Sequence, residues 1–204
     1  MADGLPTVAG FHDRDLELAD GLRVRCSLAL PAGSGRAAPV VLCLHYGGEP
    51  HGYYGRALLE GLYEPAWRAL GAVMIAPVAE AGDWRTPENG RRALGVLDAI
   101  AAHYGYTGSP QIVTGYSLGA IGTWHLLAHA PTRFAAAVPI AGPPPAHAPG
   151  VTPVRALHAT ADQLFPAAAT RDFVEALGGA AVMPRARWSM APIITLSAVS
   201  APRS

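Results

Sequence analysis

Ser117 sits at the centre of Gly115-Tyr116-Ser117-Leu118-Gly119, between a short apolar run, Gln111-Ile112-Val113-Thr114, and a helix-forming stretch. A serine placed on a sharp strand-to-helix turn has its hydroxyl lifted toward substrate on strained backbone, and the N–H that follows it is free to bind an oxyanion. Nucleophilic attack by Ser117 is the chemistry this pattern predicts; the competing reading is an ordinary glycine-bounded turn with a capping serine. A second segment, His45-Tyr46-Gly47-Gly48, follows the apolar run Val40 to Leu44. Its glycines let bare N–H groups approach a ligand, so Tyr46 and Gly47 join Leu118 as candidate oxyanion donors, against the alternative of a plain connecting turn. A third, His158-Ala159-Thr160-Ala161-Asp162, leaves an apolar run with a carboxylate four residues on. Asp162 can orient a catalytic imidazole or simply cap the next helix.

A serine needs a base, and histidine is the side chain that most often serves as one. Without one within hydrogen-bond reach, the hydroxyl is a weak nucleophile at neutral pH, and only oxyanion binding and substrate binding remain. The chain has 8 histidines. His12 falls in the N-terminal arm, His103, His125 and His129 on or at the ends of helices, His147 in a proline-rich loop and His158 on or just after a strand. His45 and His51 are nearer the oxyanion side, and His51, in Glu49-Pro50-His51-Gly52, is the one to test as a surrogate base.

These residues require a particular set of elements to bring them together. Two leading strands, around Asp13 to Leu18 and Leu22 to Leu30, are joined by Asp20-Gly21, a dipeptide suited to a tight antiparallel hairpin. Val40 to Leu44, Ala72 to Ala76, Ile112 to Thr114, Ala136 to Ile140 and Val154 to His158 are short and continuously apolar, as parallel strands buried on both faces should be. Helical patterns lie between them, about Tyr54 to Leu70, Asn89 to Tyr104, Leu118 to His129 and Ala167 to Leu177. The alternation predicts an α/β fold with an open, mostly parallel sheet, an antiparallel N-terminal hairpin and helices on both faces. Ligands then bind beyond the carboxyl ends of the strands.

Composition narrows the functions further. At 204 residues, 50% apolar and 15% charged, the chain fits one compact domain over 1–204, in which 185–204 is an atypical tail. Its 15 basic and 15 acidic side chains are scattered, which leaves no electrostatic footprint for nucleic acid or for an anionic membrane. No apolar stretch approaches the ~20 residues of a membrane span, and Met1-Ala2-Asp3-Gly4-Leu5-Pro6 lacks a secretory pattern. A soluble protein is expected, either cytoplasmic or secreted as a mature form. Cys26 and Cys43 fall in strand-like runs and read as buried free thiols. No Cys/His cluster shows metal-ligand spacing and no glycine-rich loop has a phosphate-binding pattern, so no metal or cofactor is implied.

The stretch Val113-Thr114-Gly115-Tyr116-Ser117-Leu118-Gly119-Ala120-Ile121-Gly122-Thr123-Trp124, continued by Pro131-Thr132-Arg133-Phe134-Ala135-Ala136-Ala137-Val138-Pro139-Ile140-Ala141-Gly142, resembles the serine esterases of the α/β-hydrolase superfamily. The chain is similar to the small esterases and predicted peptidases related to polyhydroxybutyrate depolymerases, feruloyl esterases and dienelactone hydrolases. The resemblance implies Ser117 as nucleophile, Asp162 as triad acid and oxyanion donors from Leu118 and the His45 to Gly48 loop. It also implies a histidine after the acid, where this chain has none.

Too few residues lie between Ile140 and Val154 for a helical cap, so an open site is expected. Tyr53, Trp84 and Phe165 are candidate substrate-binding walls, with Tyr46 and Tyr54 beside them; core packing is the usual role of such rings. A shallow cleft suits small acyl groups, so short-chain carboxylic esters are the expected substrates. The alternatives are a catalytically impaired member with a binding or structural role, and a peptidase, which would need an acid to protonate a poor leaving group.

Overall fold

Alternation along the third strand shows how this sheet is built. In β3 (Val40–Leu44), Val40, Leu42 and Leu44 pack into one hydrophobic core while Val41 and Cys43 pack into another, and all five are buried. A strand sends successive side chains to opposite faces, so a wholly apolar run demands cover on both sides. The computed structural model describes residues 4–33, 38–147 and 150–177 and the backbone of 193–198. It supplies that cover with helical segments on each face.

The order across the sheet is β1-β2-β4-β3-β5-β6-β7-β8. β1 (Gly10–Glu17) and β2 (Arg23–Leu30) form the antiparallel hairpin expected at Asp20-Gly21, where Gly21 takes φ 81° and the Leu22 N–H donates to the Asp20 carboxylate at 3.1 Å. β2 runs antiparallel to β4 (Val73–Pro77). β4, β3, β5 (Gln111–Tyr116), β6 (Ala136–Ile140) and β7 (Val154–Ala159) are mutually parallel. Each falls within a residue or two of its expected span. The apolar run at Ile193 lies in β8 (Ile193–Ala198), antiparallel to β7; the rest of the 185–204 tail is outside the described residues.

The segment expected as one helix over Tyr54 to Leu70 is helical from Arg56 to Leu70, but its hydrogen-bonding pattern changes along the way. α1 (Arg56–Leu58), a π-helical turn (Leu59–Tyr63), α2 (Glu64–Trp67) and a 3-10 turn (Arg68–Leu70) follow one another. Pro65 has no N–H to give, and it is accommodated in the first turn of α2, where no intrahelical donor is needed. Leu59 and Tyr63 from this segment seal the second core. α3 (Pro87–His103), α4 (Leu118–His129) and α5 (Ala167–Ala176) cover the first, where Trp124 meets Phe173 edge-on at 5.5 Å. Cys26 and Cys43 are free and fully buried; desolvation pushes the Cys26 thiol up to about 12 and that of Cys43 higher still, so neither is a nucleophile.

Candidate active site

Ser117 is the junction between β5 and α4. Its backbone takes φ 56° and ψ −116°, one of three positive-φ positions occupied by a residue other than glycine among those described. Such a conformation costs on the order of 1–3 kcal/mol and persists only where the surroundings fix it. They do so here by close packing. The Ser117 N–H donates to the Ile140 carbonyl at 2.9 Å, and its carbonyl accepts from the Ala120 N–H at 2.9 Å. A Cβ at Gly115 would come 2.9 Å from the Ala120 nitrogen, one at Gly119 would come 2.8 Å from the His45 carbonyl oxygen, and one at Gly142 would come 2.7 Å from that of Ser117. Glycine is therefore required for contact rather than for torsion at these three positions. The Ser117 side is half-exposed, and Leu118 opens the first turn of α4, where N–H groups have no intrahelical acceptor.

Beyond β3, the chain turns over α4 so closely that a Cβ at Gly47 would stand 3.3 Å from the Leu118 side chain. His45 is fully buried and spends one ring nitrogen on this loop and the other on the segment after β4. Its Nε2 accepts the Ala79 N–H at 3.0 Å, so the proton sits on Nδ1, which donates to the Tyr46 carbonyl at 2.6 Å. Burial depresses its pKa, in keeping with this single neutral tautomer. In a trans peptide the C=O and N–H point opposite ways, so anchoring the Tyr46 carbonyl on His45 aims the Gly47 N–H away from that ring. The Tyr54 hydroxyl ties down the next carbonyl, that of Gly47, at 3.1 Å.

Asp162 follows β7 and is anchored twice over. Its Oδ1 accepts the N–H groups of Leu164 at 2.8 Å and Phe165 at 3.0 Å. Nε2 of buried His158 lies 3.1 Å from Oδ2 and 2.9 Å from the Phe165 carbonyl, and two acceptors there require that nitrogen to carry the proton. The Thr170 hydroxyl, 2.9 Å away, then donates to Nδ1. The Phe165 N–H, with that of Leu164 and the nearby His158, holds the Asp162 carboxyl below the ordinary range against the opposing effect of burial.

The strand ends thus carry a strained serine, a glycine loop and an anchored carboxylate, on a fold that solved structures share. No family model and no curated protein matches the sequence. A lidless α/β serine hydrolase from Xanthomonas campestris superposes with TM-score 0.64 at 18% identity, over 85% of this chain and 81% of that one. A thermostable esterase gives TM-score 0.58 at 22% identity, over 81% of this chain and 50% of its own, so the chain spans about half its length. The acetyl xylan esterase of Aspergillus awamori gives 0.54 at 20% identity, over 67% and 53%. The chain has the α/β-hydrolase fold.

Within this hydrolase fold, two of the expected walls have other contacts. Trp84 is only 1% exposed, packs where Gly122 leaves room and donates its indole N–H to the His45 carbonyl at 2.9 Å. It is a core residue beneath the loop rather than a wall of an open cleft, because a large ring next to a glycine on a packed helix is sealed by that helix. The Tyr53 hydroxyl turns to Asp15 on β1 at 3.2 Å, and Phe165 is half-buried beside Asp162. Two exposed apolar side chains border the candidate residues in their place, Tyr116 at 38% and Leu164 at 81%. Tyr116 lies inside the pentapeptide but was not singled out as a wall. Leu164, in a polar stretch, gave no signal. A surface hollow of about 410 Å³ lined by Thr107 to Gln111 and Thr132 to Ala135 lies at the opposite, amino-terminal end of β5 and has no part in this arrangement. Among the described residues, no group of three or more side chains could hold a metal ion, and no helix is long and apolar enough to cross a membrane.

Proposed function

We infer that this chain is a serine hydrolase acting on short-chain carboxylic esters through an acyl-serine intermediate, with Ser117 as nucleophile. The observation that carries the reading is the positive φ of Ser117 at the β5–α4 junction, held there by three glycine contacts. A turn that serves only to cap a helix has no need of such strain. In the proposed reaction, a base takes the Ser117 proton as Oγ attacks the ester carbonyl. The tetrahedral oxyanion is received by the N–H groups of Leu118 and Gly47, with Tyr46 in the same loop; collapse expels the alcohol, which regains the proton, and water then releases the acid. Asp162 is the carboxylate assigned to orient the base. Tyr116 and Leu164 supply apolar surface for the ester's substituents, in a site without a cap.

The base is the open element. Both nitrogens of His45 are committed, to the Tyr46 carbonyl and the Ala79 N–H, and those of His158 to Asp162, Phe165 and Thr170. His51 is exposed, donates its Nδ1–H to the Glu49 carbonyl at 3.3 Å and stacks edge-on with Tyr54 at 5.5 Å, which leaves Nε2 with its lone pair. It is the candidate surrogate. The second reading, a hydrolase-fold protein that binds without turnover, is favoured by one specific fact, the absence of any histidine after Asp162.

Hydrolysis of p-nitrophenyl butyrate by this chain and by Ser117→Ala, both verified as folded by circular dichroism, separates the two. Turnover that falls by about a thousandfold or more in the variant is expected for the hydrolase. Equal, negligible rates in two folded proteins would replace it with the binding reading. His51→Ala then identifies the base: a matching collapse in rate assigns it, and an unchanged rate removes it.

A further inference from the structure

Spacing that carries little meaning in the sequence becomes specific once α4 spans both His125 and His129, because residues four apart share one flank of a helix. Their ring centroids lie 4.0 Å apart with the planes tilted by 35°. His125 is half-buried and His129 exposed. His129 Nδ1 stands 2.8 Å from the His125 carbonyl oxygen. A carbonyl can only accept, so Nδ1 carries the proton and Nε2 of the neutral ring keeps its lone pair. Histidines that bind metals are held in this way, with one ring nitrogen donating to a fixed oxygen and the other left as ligand.

We propose that His125 and His129 form a two-imidazole clamp for a divalent transition-metal ion of the Zn²⁺ and Cu²⁺ class. Two nitrogens at tetrahedral Zn–N bonds of about 2.0–2.1 Å stand about 3.3 Å apart, so the two rings, stacked with centroids at 4.0 Å, bind by swinging apart until one nitrogen of each faces a common point. Water completes the coordination on the exposed side. Asp83 is close enough to influence His125, but Arg85 grips its carboxylate with Nε and Nη2 at 3.0 Å each and offsets its charge. The clamp therefore offers neutral imidazole without a free carboxylate, which suits Zn²⁺ and Cu²⁺ and not Mg²⁺ or Ca²⁺. It lies in the second half of the helix that begins after Ser117, on side chains that the proposed ester chemistry does not use.

Calorimetric titration of the full chain with Zn²⁺ at neutral pH tests the clamp, with His129→Gln, His125→Gln and His103→Gln alongside. One equivalent is expected to bind, about tenfold or more weaker in His129→Gln and His125→Gln and unchanged in His103→Gln, with Mg²⁺ silent. Cu²⁺ is expected to give an electron paramagnetic resonance spectrum with two equatorial nitrogens, and Ser117→Ala to bind as the parent does. Because His129 is exposed, its variant folds. Zn²⁺ binding as tight in His129→Gln as in the parent, or no binding to the parent, would overturn the proposal whatever the outcome of the esterase assay.

Discussion

A single methyl group tests the packing that sets the Ser117 turn. At Gly119 it would stand 2.8 Å from the His45 carbonyl oxygen and press on the Leu44 carbonyl as well, and both are backbone atoms at the buried end of β3. Neither can swing aside as a side-chain tip would. Gly119→Ala is expected to cost about 1–3 kcal/mol, in the range of an overpacked core, and to displace the loop that holds Tyr46 and Gly47. Gly61 provides the opposite case: it lies in the π-helical turn with nothing within 4 Å of a Cβ. Gly61→Ala is expected to stabilise by about 0.4–1 kcal/mol through the lost freedom of the unfolded chain. Urea denaturation of both variants checks the pair; equal effects would mean that the contact at Gly119 does not constrain the turn. The pentapeptide alone fits an ordinary capping turn as well as a strained one; it was the strand before it and the helix after it that pointed to the turn now seen at Ser117. The base was not readable, since histidines recruited across a fold share no spacing with the serine they would serve.

The loop after β4 owes its shape to the start of α3. Thr86 caps that helix by accepting the Asn89 N–H at 3.2 Å, and Asn89, buried to 2% exposure, returns its side-chain N–H groups to the carbonyls of Glu80 at 2.8 Å and Asp83 at 2.7 Å. Thr86→Ala is expected to cost about 1 kcal/mol. Hydrogen exchange should quicken first across 80–90, and uniform acceleration through the sheet instead would show that the cap is not local. This region also marks where sequence patterns stop being informative about elements. Strands β3 and β4 were legible because both faces of each are covered and the runs are continuously apolar. α4 was legible over its whole span, and α3 from Asn89, two residues inside its Pro87 start. By contrast, the polar run from Glu80 to Asn89 hides Trp84, whose burial depends on a gap at Gly122, far away in sequence. The π-helical turn at 59–63 and the 3-10 turn at 68–70 are local changes of hydrogen-bonding pattern that helical periodicity does not carry.

Across the whole molecule, charge contributes little at neutral pH. Fifteen acidic and fifteen basic groups cancel, and pairs such as Arg23–Glu17, Arg68–Glu64 and Arg171–Asp172 are exposed surface bridges, each worth at most about 1 kcal/mol. Acid sensitivity instead gathers where the fold lowers a carboxyl pKa. Asp162 is lowered first by the Phe165 N–H, and Asp83 first by its hydrogen bonds to Arg85. A carboxyl whose pKa is lower folded than unfolded binds fewer protons in the native state. Its stabilisation is complete above the unfolded value of about 3.9 and disappears as pH falls through the depressed folded value. Melting temperature is therefore expected to hold through the neutral range and drop below the ordinary carboxylate region. Asp162→Asn keeps an oxygen for the Leu164 and Phe165 N–H groups but has no charge to lose, so it should start less stable at pH 7 and fall less on acidification, its curve converging on that of the parent. Thermal unfolding of the two proteins across the acid range checks this. Curves that stay parallel would remove Asp162 as a source of acid sensitivity, and would indicate that the hydrogen bonds around it hold the turn equally well without a charge.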